Sequence, residues 1–290
     1  MNYRHHFHAG NFADVVKHVV LGALFQGLQR KEKGFLFLDT HAGRGKYDLH
    51  ASKWGQSLPR TPEYLNGWAR LDNADTIVPR LVEDYRTTVR AFDRRHGNLD
   101  GELRFYPGSP CLAFQWMRPQ DRLSLCELNR DEYEVLAREM EGNQRVSVHH
   151  MDGYAGIRAF LPPNERRALL LIDPSFESPE EWISLAQCVQ EAVERMPAAT
   201  IAVWYPITER AGKDQFLGEI VRLQLPPAWT VEVAVRGEGL SPGMRGCGML
   251  VVNPPWRLDE ELAPVASWLA DQLAQAEGAQ GSLNWLVPER

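Results

Sequence analysis

Short apolar runs recur along the chain, and most are separated by stretches with apolar residues at helical spacing. The clearest runs are FLFLD, RLSLCEL, RVSVHH, ALLLID, ATIAVWYP, WTVEVAV and CGMLVVN. Between the middle ones, residues 129–141, 153–161 and 179–196 have the apolar period of amphipathic helices. Strands that alternate with helices predict an α/β fold, with a mostly parallel sheet and helices on both of its faces.

A long segment, residues 40–121, interrupts this alternation between the first two strands. Within it, residues 75–96 show helical spacing, with apolar positions at Leu81, Tyr85, Val89 and Phe92. A structureless loop of such length is improbable in a compact domain. We therefore predict an inserted helical subdomain at residues 47–104, within a main domain formed by residues 1–46 and 105–290.

Two helix starts are indicated by capping residues. Asn11, followed by Asp14 and an apolar repeat, is typical of a helix N-terminus. In the segment PGSP, we predict Ser109 as the N-cap of the helix at which the main domain resumes.

Charge and cysteine content narrow the class of protein. The 290-residue chain has a formal charge of −6 at pH 7, which disfavours indiscriminate coating of nucleic acid but allows a local basic cleft. Its four cysteines are far apart and are typical of reduced thiols. Since no apolar run could span a bilayer and no signal-peptide region is evident, we expect a cytoplasmic protein without membrane association.

Four predicted strands end at, or just before, a carboxylate: Asp39, Glu127, Asp152 and Asp173. Ligands of doubly wound sheets bind beyond the carboxyl ends of the strands. Glu127, after the second strand, can accept from both hydroxyls of a ribose, and Asp152 suits an adenine amino group. Each acid alone is more often a helix cap or a surface residue, but the ordered set favours a nucleoside cofactor.

The loop after the first strand disfavours a dinucleotide. It reads DTHAGRGKY, in which Gly43 and Gly45 allow close backbone approach but the G-x-G-x-x-G spacing is absent. The acid at the strand end, Asp39, would also repel phosphate. We therefore expect a cationic, phosphate-free cofactor, S-adenosylmethionine.

The segment LLLIDPSFE indicates the reaction. Its Asp173-Pro174-Ser175-Phe176 resembles the D/N-P-P-Y/F/W motif of amino-methyltransferases. The Asp173 carboxylate and the Pro174 carbonyl can accept both N–H groups of an aromatic amine and aim its lone pair, while Phe176 can stack on the base. Catalysis would then rest on alignment and on electrostatic support for charge growing on nitrogen.

A second motif, Asn253-Pro254-Pro255-Trp256, matches the same consensus more closely. It ends what we expect to be the last strand, which runs antiparallel in methyltransferase sheets. Its end would point away from the cofactor, so we predict a structural role.

Along almost its whole length the chain resembles a known family, the bacterial 23S ribosomal RNA adenine-N6 methyltransferases RlmJ. The segments that carry the resemblance are YRHHFHAGNFADVVKH, FLFLDTHAGRGKY, YPGSP, DRLSLCELN, MDGY, LIDPSFE, WYPI, GMLVVNPPW and WLVP. The resemblance implies a class I S-adenosylmethionine-dependent methyltransferase fold with a helical insertion. It also implies methylation of one adenine of protein-free 23S rRNA.

The resemblance further implies roles for individual residues. The implied cofactor contacts are Lys17, His18, His41, Ser109, Glu127, Asp152, Gly153 and Asp173. Asp173 would also be the catalytic residue, assisted by Pro174 and Phe176. Where the family has DPPY this chain has DPSF, which keeps Pro174 and an aromatic ring, loosens the loop and loses a hydroxyl.

We do not expect the histidine-rich start of the chain to bind a metal, because His5, His6 and His8 lack a second ligand group at useful spacing. We expect this segment to cover the active site and contact the target nucleotide. The predicted substrate contacts are Tyr3, Arg4, His5 and His8, of which Tyr3 is also implied by the resemblance.

The target adenosine must be unpaired or flipped out to reach such a site. Candidate phosphate contacts are Arg4, Arg44, Lys46, Lys53, Arg60, Arg94, Arg95, Arg166 and Arg167. Of these we favour Arg44 and Lys46, beside the cofactor loop. The alternatives are an adenine-N6 DNA methyltransferase, a glutamine or small-molecule N-methyltransferase, and a catalytically impaired cofactor- or RNA-binding module. No long apolar stripe is left over, so we expect a monomer.

Overall fold

The computed structural model describes residues 7–50, 62–99, 101–208, 212–239 and 243–289. The strands within them are β1 (Leu36–Asp39), β2 (Lys46–Asp48), β3 (Phe105–Pro107), β4 (Arg122–Glu127), β5 (Val146–His150), β6 (Ala168–Ile172), β7 (Thr200–Ile207), β8 (Ala228–Ala234), β9 (Gly246–Val252) and β10 (Gln280–Val287). The helices are α1 (Phe12–Gln29), α2 (Trp68–Asp72), α3 (Arg80–Arg95), α4 (Ser109–Trp116), α5 (Arg130–Glu139), α6 (Gly153–Phe160), α7 (Glu181–Arg195), α8 (Gly212–Arg222) and α9 (Leu258–Leu273), with a 3₁₀ helix at Glu63–Asn66.

Eight strands form one sheet in the order β10-β8-β9-β7-β6-β1-β4-β5. β5, β4, β1, β6 and β7 run parallel, whereas β9 is antiparallel to both β7 and β8, and β10 is antiparallel to β8. The order and directions of the strands agree with the mostly parallel sheet that the sequence predicts and with the fold that the family resemblance implies. The expectation that β9 is the last strand is wrong, since β10 follows it and pairs at the edge of the sheet.

The central strands are apolar on both faces because helices cover both sides of the sheet. In β6, Leu169 and Leu171 pack in the core shared with α1, α4 and α9, and Leu170 and Ile172 pack in the core shared with α6, α7 and α8. All five residues of β6 are buried. The strand therefore ends at a fixed depth, with Asp173 as the first residue beyond it.

The predicted start of α1 is confirmed, because the Asn11 side chain accepts a hydrogen bond from the Asp14 N–H at 3.0 Å. The predicted N-cap of α4 is wrong. Gly108 occupies the cap position, and Ser109 is the first helical residue. The Ser109 hydroxyl instead donates to the buried carboxylate of Asp39 at 2.7 Å, since a charged acceptor binds a hydroxyl strongly.

The segment between β1 and β4 contains α2, α3 and the β2–β3 ribbon, in which Tyr47 pairs with Tyr106. The four apolar positions predicted for α3 are all buried. α3 begins at Arg80, later than residue 75, because Pro79 fits only the start of a helix. α3 packs against α1 and α4. The division into a main domain and an insertion stays a prediction.

In the part of the chain described here, no helix is long and apolar enough to cross a membrane. All four cysteines are buried and none forms a disulfide.

Candidate active site

A cavity of about 390 Å³ lies beyond the carboxyl ends of β1, β4 and β6. All the predicted cofactor residues line it: Lys17, His18, His41, Ser109, Glu127, Asp152, Gly153 and Asp173. So do Pro174, Phe176 and His8. Topology explains this convergence, because parallel strands place the residues that follow them at one edge of the sheet.

Glu127, at the end of β4, is held by two backbone groups. Its Oε2 accepts from the N–H of Gly43 at 2.8 Å, and its Oε1 accepts from the N–H of Asn129 at 2.7 Å. Gly43 adopts a left-handed conformation (φ +62°), which glycine tolerates best. Burial raises the pKa of Glu127. A carboxylate has about four lone-pair sites, so Glu127 can still accept from two ribose hydroxyls.

Asp152 caps α6, and its Oδ1 accepts from the Tyr154 N–H at 3.1 Å. The next residue, Gly153, meets the loop after β1 so closely that a Cβ atom would lie 1.9 Å from the Thr40 carbonyl oxygen. Only glycine fits there. This contact brings the start of α6, and with it Asp152, against the cofactor loop.

Asp39 is the one strand-end acid that does not face the cavity directly. It is fully buried behind Ser109 and His41, which line the cavity. Its carboxylate accepts from the Ser109 hydroxyl at 2.7 Å and from the His41 N–H at 3.2 Å. Burial raises the pKa of Asp39 to about 7. Because Ser109 donates its proton to Asp39, its oxygen can present lone pairs to a ligand.

Lys17 joins two carboxylates across the cavity floor. Its Nζ lies 2.8 Å from Oδ1 of Asp14 and 2.6 Å from Oδ2 of Asp173. The other Asp14 oxygen accepts from the Gly10 N–H at 3.0 Å. Burial lowers the pKa of Lys17, but the two carboxylates outweigh it and the pKa lies well above its ordinary value. Lys17 is therefore charged, and it fixes the position of Asp173.

The two predicted histidines of the cavity are both held by hydroxyl groups. His18 is fully buried, and its Nδ1 lies 2.9 Å from the Tyr106 hydroxyl. His41 Nδ1 lies 2.8 Å from the Thr40 hydroxyl, and its ring contacts Tyr154 edge-on at 5.4 Å between centroids. Burial lowers the pKa of His41, which favours a neutral ring at pH 7.

The segment Asp173–Phe176 follows β6 without regular secondary structure. Phe176 adopts a left-handed conformation (φ +50°), which costs a residue with a side chain about 1–2 kcal/mol. Its ring lies 4.5 Å from that of Trp182 and 5.8 Å from that of Trp204, between centroids. These contacts fix the ring at the cavity wall. Strain of this kind is often found at functional sites.

Comparison with known proteins identifies the family. The family model described as ribosomal RNA large subunit methyltransferase D, RlmJ, matches residues 32–287. Two curated relatives, both named ribosomal RNA large subunit methyltransferase J, are similar over the whole of both chains. The Escherichia coli K12 protein is 37% identical over 289 residues, and the Haemophilus influenzae protein is 35% identical over 291. The chain belongs to this RlmJ family.

A solved structure supports the same assignment. A Legionella pneumophila protein superposes with a TM-score of 0.81 at 35% identity, covering 96% of this chain and 97% of that one. The family resemblance and the class I methyltransferase fold predicted from the sequence are thus confirmed. S-adenosylmethionine is the methyl donor of this methyltransferase family, as predicted. The residues that line the cavity fit such a nucleoside, because the carboxylates among them can accept hydrogen bonds from hydroxyl, amino and ammonium groups.

Some predicted contacts lie outside the described residues: Tyr3, Arg4, His5, Lys53 and Arg60. The two favoured phosphate contacts are described, and both bind carboxylates. Arg44 donates to Glu132 at 2.7 and 2.5 Å, and Lys46 lies 2.6 Å from Glu139. An RNA phosphate would therefore compete with a carboxylate for either cation.

The rival motif lies where it was predicted, at the opposite end of the sheet. Asn253 follows the antiparallel β9, and its amide donates to the carbonyls of Pro197 and Ala199 at 2.6 and 3.0 Å. Pro255 packs against α1, where a Cβ on Gly27 would lie 2.6 Å from it. The NPPW motif therefore joins the start of β7 to α1 and takes no part in the cavity.

Sequence reasoning missed several residues of the site. Asp14 was interpreted only as part of a helix start, although its spacing of three residues from Lys17 is a detectable signal. Trp204 in β7 and Met244, just before β9, also line the cavity, and no local pattern indicates that. Among the described residues, no cluster of three or more histidines, cysteines or acids is placed to hold a metal ion.

Proposed function

We propose that this protein transfers a methyl group from S-adenosylmethionine to the N6 amine of one adenosine in protein-free 23S rRNA. The observation that carries the proposal is the position of Asp173-Pro174, directly after β6 and inside the cavity that the strand-end acids line. The relatives' names support large-subunit rRNA as the substrate.

In this proposal the cofactor lies along the strand ends. Glu127 accepts from the ribose hydroxyls, Asp152 accepts from the adenine amino group, and the Ser109 oxygen accepts from the ammonium of the methionine part. When bound, S-adenosylmethionine supplies an electrophilic methyl group on its sulfonium. Asp173, which follows the neighbouring strand β6, lines the same cavity, so the methyl donor and the target amine would meet there.

Asp173 and Pro174 orient the target amine. Lys17 binds Oδ2 of Asp173 at 2.6 Å, and in this proposal Oδ1 accepts one N–H of the amine. The Pro174 carbonyl accepts the other, so that the nitrogen lone pair faces the methyl group. With S-adenosylmethionine bound, the methyl group would pass from sulfur to the amine nitrogen, and Asp173 would support the positive charge on that nitrogen. It then receives the proton that the nitrogen loses.

Tritiated methyl transfer tests this function. Label should enter protein-free 23S rRNA with wild-type protein and not with Asp173→Ala, and mass spectrometry of the digested RNA should locate it as N6-methyladenosine. Assembled 50S subunits as substrate test the preference for free RNA. Transfer to DNA only would support an adenine-N6 DNA methyltransferase instead.

One observation favours a second candidate, a binding protein with impaired catalysis. Ser175 stands where the family motif has a second proline, and that proline would stiffen the turn that leads to the strained Phe176. Cofactor and RNA binding without methyl transfer would support this candidate. Restored transfer in Ser175→Pro would identify the substitution as its cause.

A further inference from the structure

The segment before α1 is fastened to the segment inserted between β1 and β4. Glu63, in the 3₁₀ helix of that inserted segment, uses one oxygen to bind two residues of the chain start. Its Oε2 lies 2.8 Å from Nδ1 of His8 and accepts from the Asn11 side-chain amide at 3.0 Å. His8 lines the cavity, and Asn11 caps the helix that carries Lys17. A single carboxylate oxygen thus connects the inserted segment to both.

The backbones of the two segments meet at the same place. The Trp68 N–H donates to the Gly10 carbonyl at 2.8 Å. A Cβ atom on Gly67 would lie 2.2 Å from that carbonyl oxygen, so the two backbone segments are in direct contact without an intervening side chain. Gly10 itself turns in a left-handed conformation (φ +75°). The described residues just before α1 are therefore held in place by the inserted segment.

We propose that Glu63 is a positioning residue, which holds the His8 imidazole at the cavity mouth in one tautomer and one orientation for contact with the RNA. This inference rests on the proposed function. A carboxylate only accepts, so the bond requires a proton on Nδ1. A ring held in this way can stack on a base of the RNA.

The strength of this contact decides what it can do. The side chains of His8 and Glu63 are 38% and 45% exposed, and an ion pair so exposed adds little to the free energy of folding. Orientation is a different matter, since a ring held in one rotamer loses less freedom when RNA binds. We therefore expect Glu63 to affect RNA binding more than stability.

The kinetic test compares Glu63→Gln with Glu83→Gln. Glu83 lies on α3 of the same inserted segment, is 53% exposed and pairs with Arg86, so it is a matched control. Glu63→Gln should raise the KM for 23S rRNA about fivefold, because an amide can bind Nδ1 either as an acceptor or as a donor and so no longer selects one tautomer. The kcat and the Kd for S-adenosylmethionine should stay at the wild-type values. Glu83→Gln should change none of the three.

A double mutant separates positioning from a general structural effect. If Glu63 acts through His8, Glu63→Gln should add nothing to the KM of His8→Ala. Additive effects would overturn the proposal. So would a Glu63→Gln variant with unchanged KM, or one that weakens cofactor and RNA binding equally.

Histidine side-chain NMR gives a readout that needs no RNA. In the wild-type protein the signals of His8 should show a proton on Nδ1, and Glu63→Gln should shift them while leaving His18 and His41 unchanged. An Nδ1 without a proton, or no shift in the variant, would overturn the inference. If the wild-type protein methylates no 23S rRNA, the proposed function fails, and these signals still decide whether Glu63 fixes the ring.

Discussion

Two buried acids at opposite ends of the sheet have pKa values that are shifted in opposite directions. At the end opposite the cavity, Asp121 accepts two hydrogen bonds from the Arg118 guanidinium, both at 3.0 Å. Burial raises the pKa of Asp121, but these bonds outweigh it and the pKa is lowered. At the cavity end, Asp39 accepts from a neutral hydroxyl and one N–H, and burial raises its pKa to about 7. The buried acid at the cavity end therefore has the weaker hydrogen-bond partners of the two.

The two related motifs show the same contrast. Asn253 of NPPW binds backbone carbonyls of its own fold, whereas Asp173 of DPSF lies in a cavity and is held by a single ammonium. NPPW matches the consensus better, yet the direction of its strand places it at the wrong end. The position of a motif on the sheet thus outweighs its match to a pattern.

The largest expected effect is on the rate of methyl transfer when the first residue of each motif is substituted in turn. Asp173→Ala removes both the acceptor that orients the amine and the negative charge beside it, so kcat for methyl transfer should fall roughly 10³-fold. Asn253→Ala should leave kcat within about twofold, because it lies at the other end of the sheet. Single-turnover methyl transfer measures both. Equal losses in the two variants would contradict the comparison.

Removing Lys17 tests what holds the cavity end together. Lys17→Met leaves Asp14 and Asp173 as buried carboxylates without their shared cation, so the free energy of unfolding at pH 7 should fall by about 3 kcal/mol. Urea denaturation measures this. A loss below about 0.5 kcal/mol would show that the ion pairs are solvated.

Asp39 and Asp121 should give pH dependences of opposite sign. The folded state holds the Asp39 proton up to about pH 7, whereas the unfolded chain loses it near its ordinary pKa. Ionised Asp39 therefore disfavours folding as the pH rises. Relative to Asp39→Asn, the wild-type protein should lose roughly 2–3 kcal/mol of unfolding free energy between pH 5 and pH 8.

The control for this experiment is Asp121→Asn. In the wild-type protein the pKa of Asp121 is lowered by folding, so its carboxylate stabilises the fold at pH values above the ordinary pKa of an aspartate. This contribution is lost as the pH falls. The variant should therefore be less stable than the wild type at pH 7, with a smaller difference at acid pH. Urea midpoints across the pH range check both. The same sign in the two variants would refute the contrast between the ends.

The smallest expected effect is on the structural motif itself. Asn253→Ala removes two hydrogen bonds to backbone carbonyls and places alanine at φ +50°. We expect a loss of about 2 kcal/mol in unfolding free energy. Trp256→Ala, at a side chain that is 69% exposed, is the matched control and should cost under about 0.5 kcal/mol.

Much of the fold could be predicted because the parallel strands are apolar and end at acids. β4 ends at Glu127, and β6 ends one residue before Asp173, as the apolar runs indicate. The β2–β3 ribbon was not predicted, because strands of three residues are too short to show alternation. β10 was missed because it is an edge strand in which no residue is buried, so its apolar positions do not stand out.

Some residues of the site could likewise be predicted from the sequence, whereas the contacts between them could not. Glu127, Asp152 and Asp173 follow from strand order alone, since topology brings strand ends together. Ser109 could be placed near the cofactor, but its bond to Asp39 depends on the register between α4 and β1. The bond from Glu63 to His8 spans fifty-five positions of the chain, and no local pattern encodes such a contact.

The place of β9 has a consequence for how the chain is made. β9 is translated after β8 yet lies between β7 and β8 in the sheet. A nascent chain that stops before Gly246 therefore leaves one edge of β7 and both edges of β8 without a partner, because β10 also follows β9 in the chain. Such edges pair readily with other chains. Truncated products should consequently aggregate, and the ribosome must release nearly the whole polypeptide before an enzyme that modifies ribosomal RNA can exist.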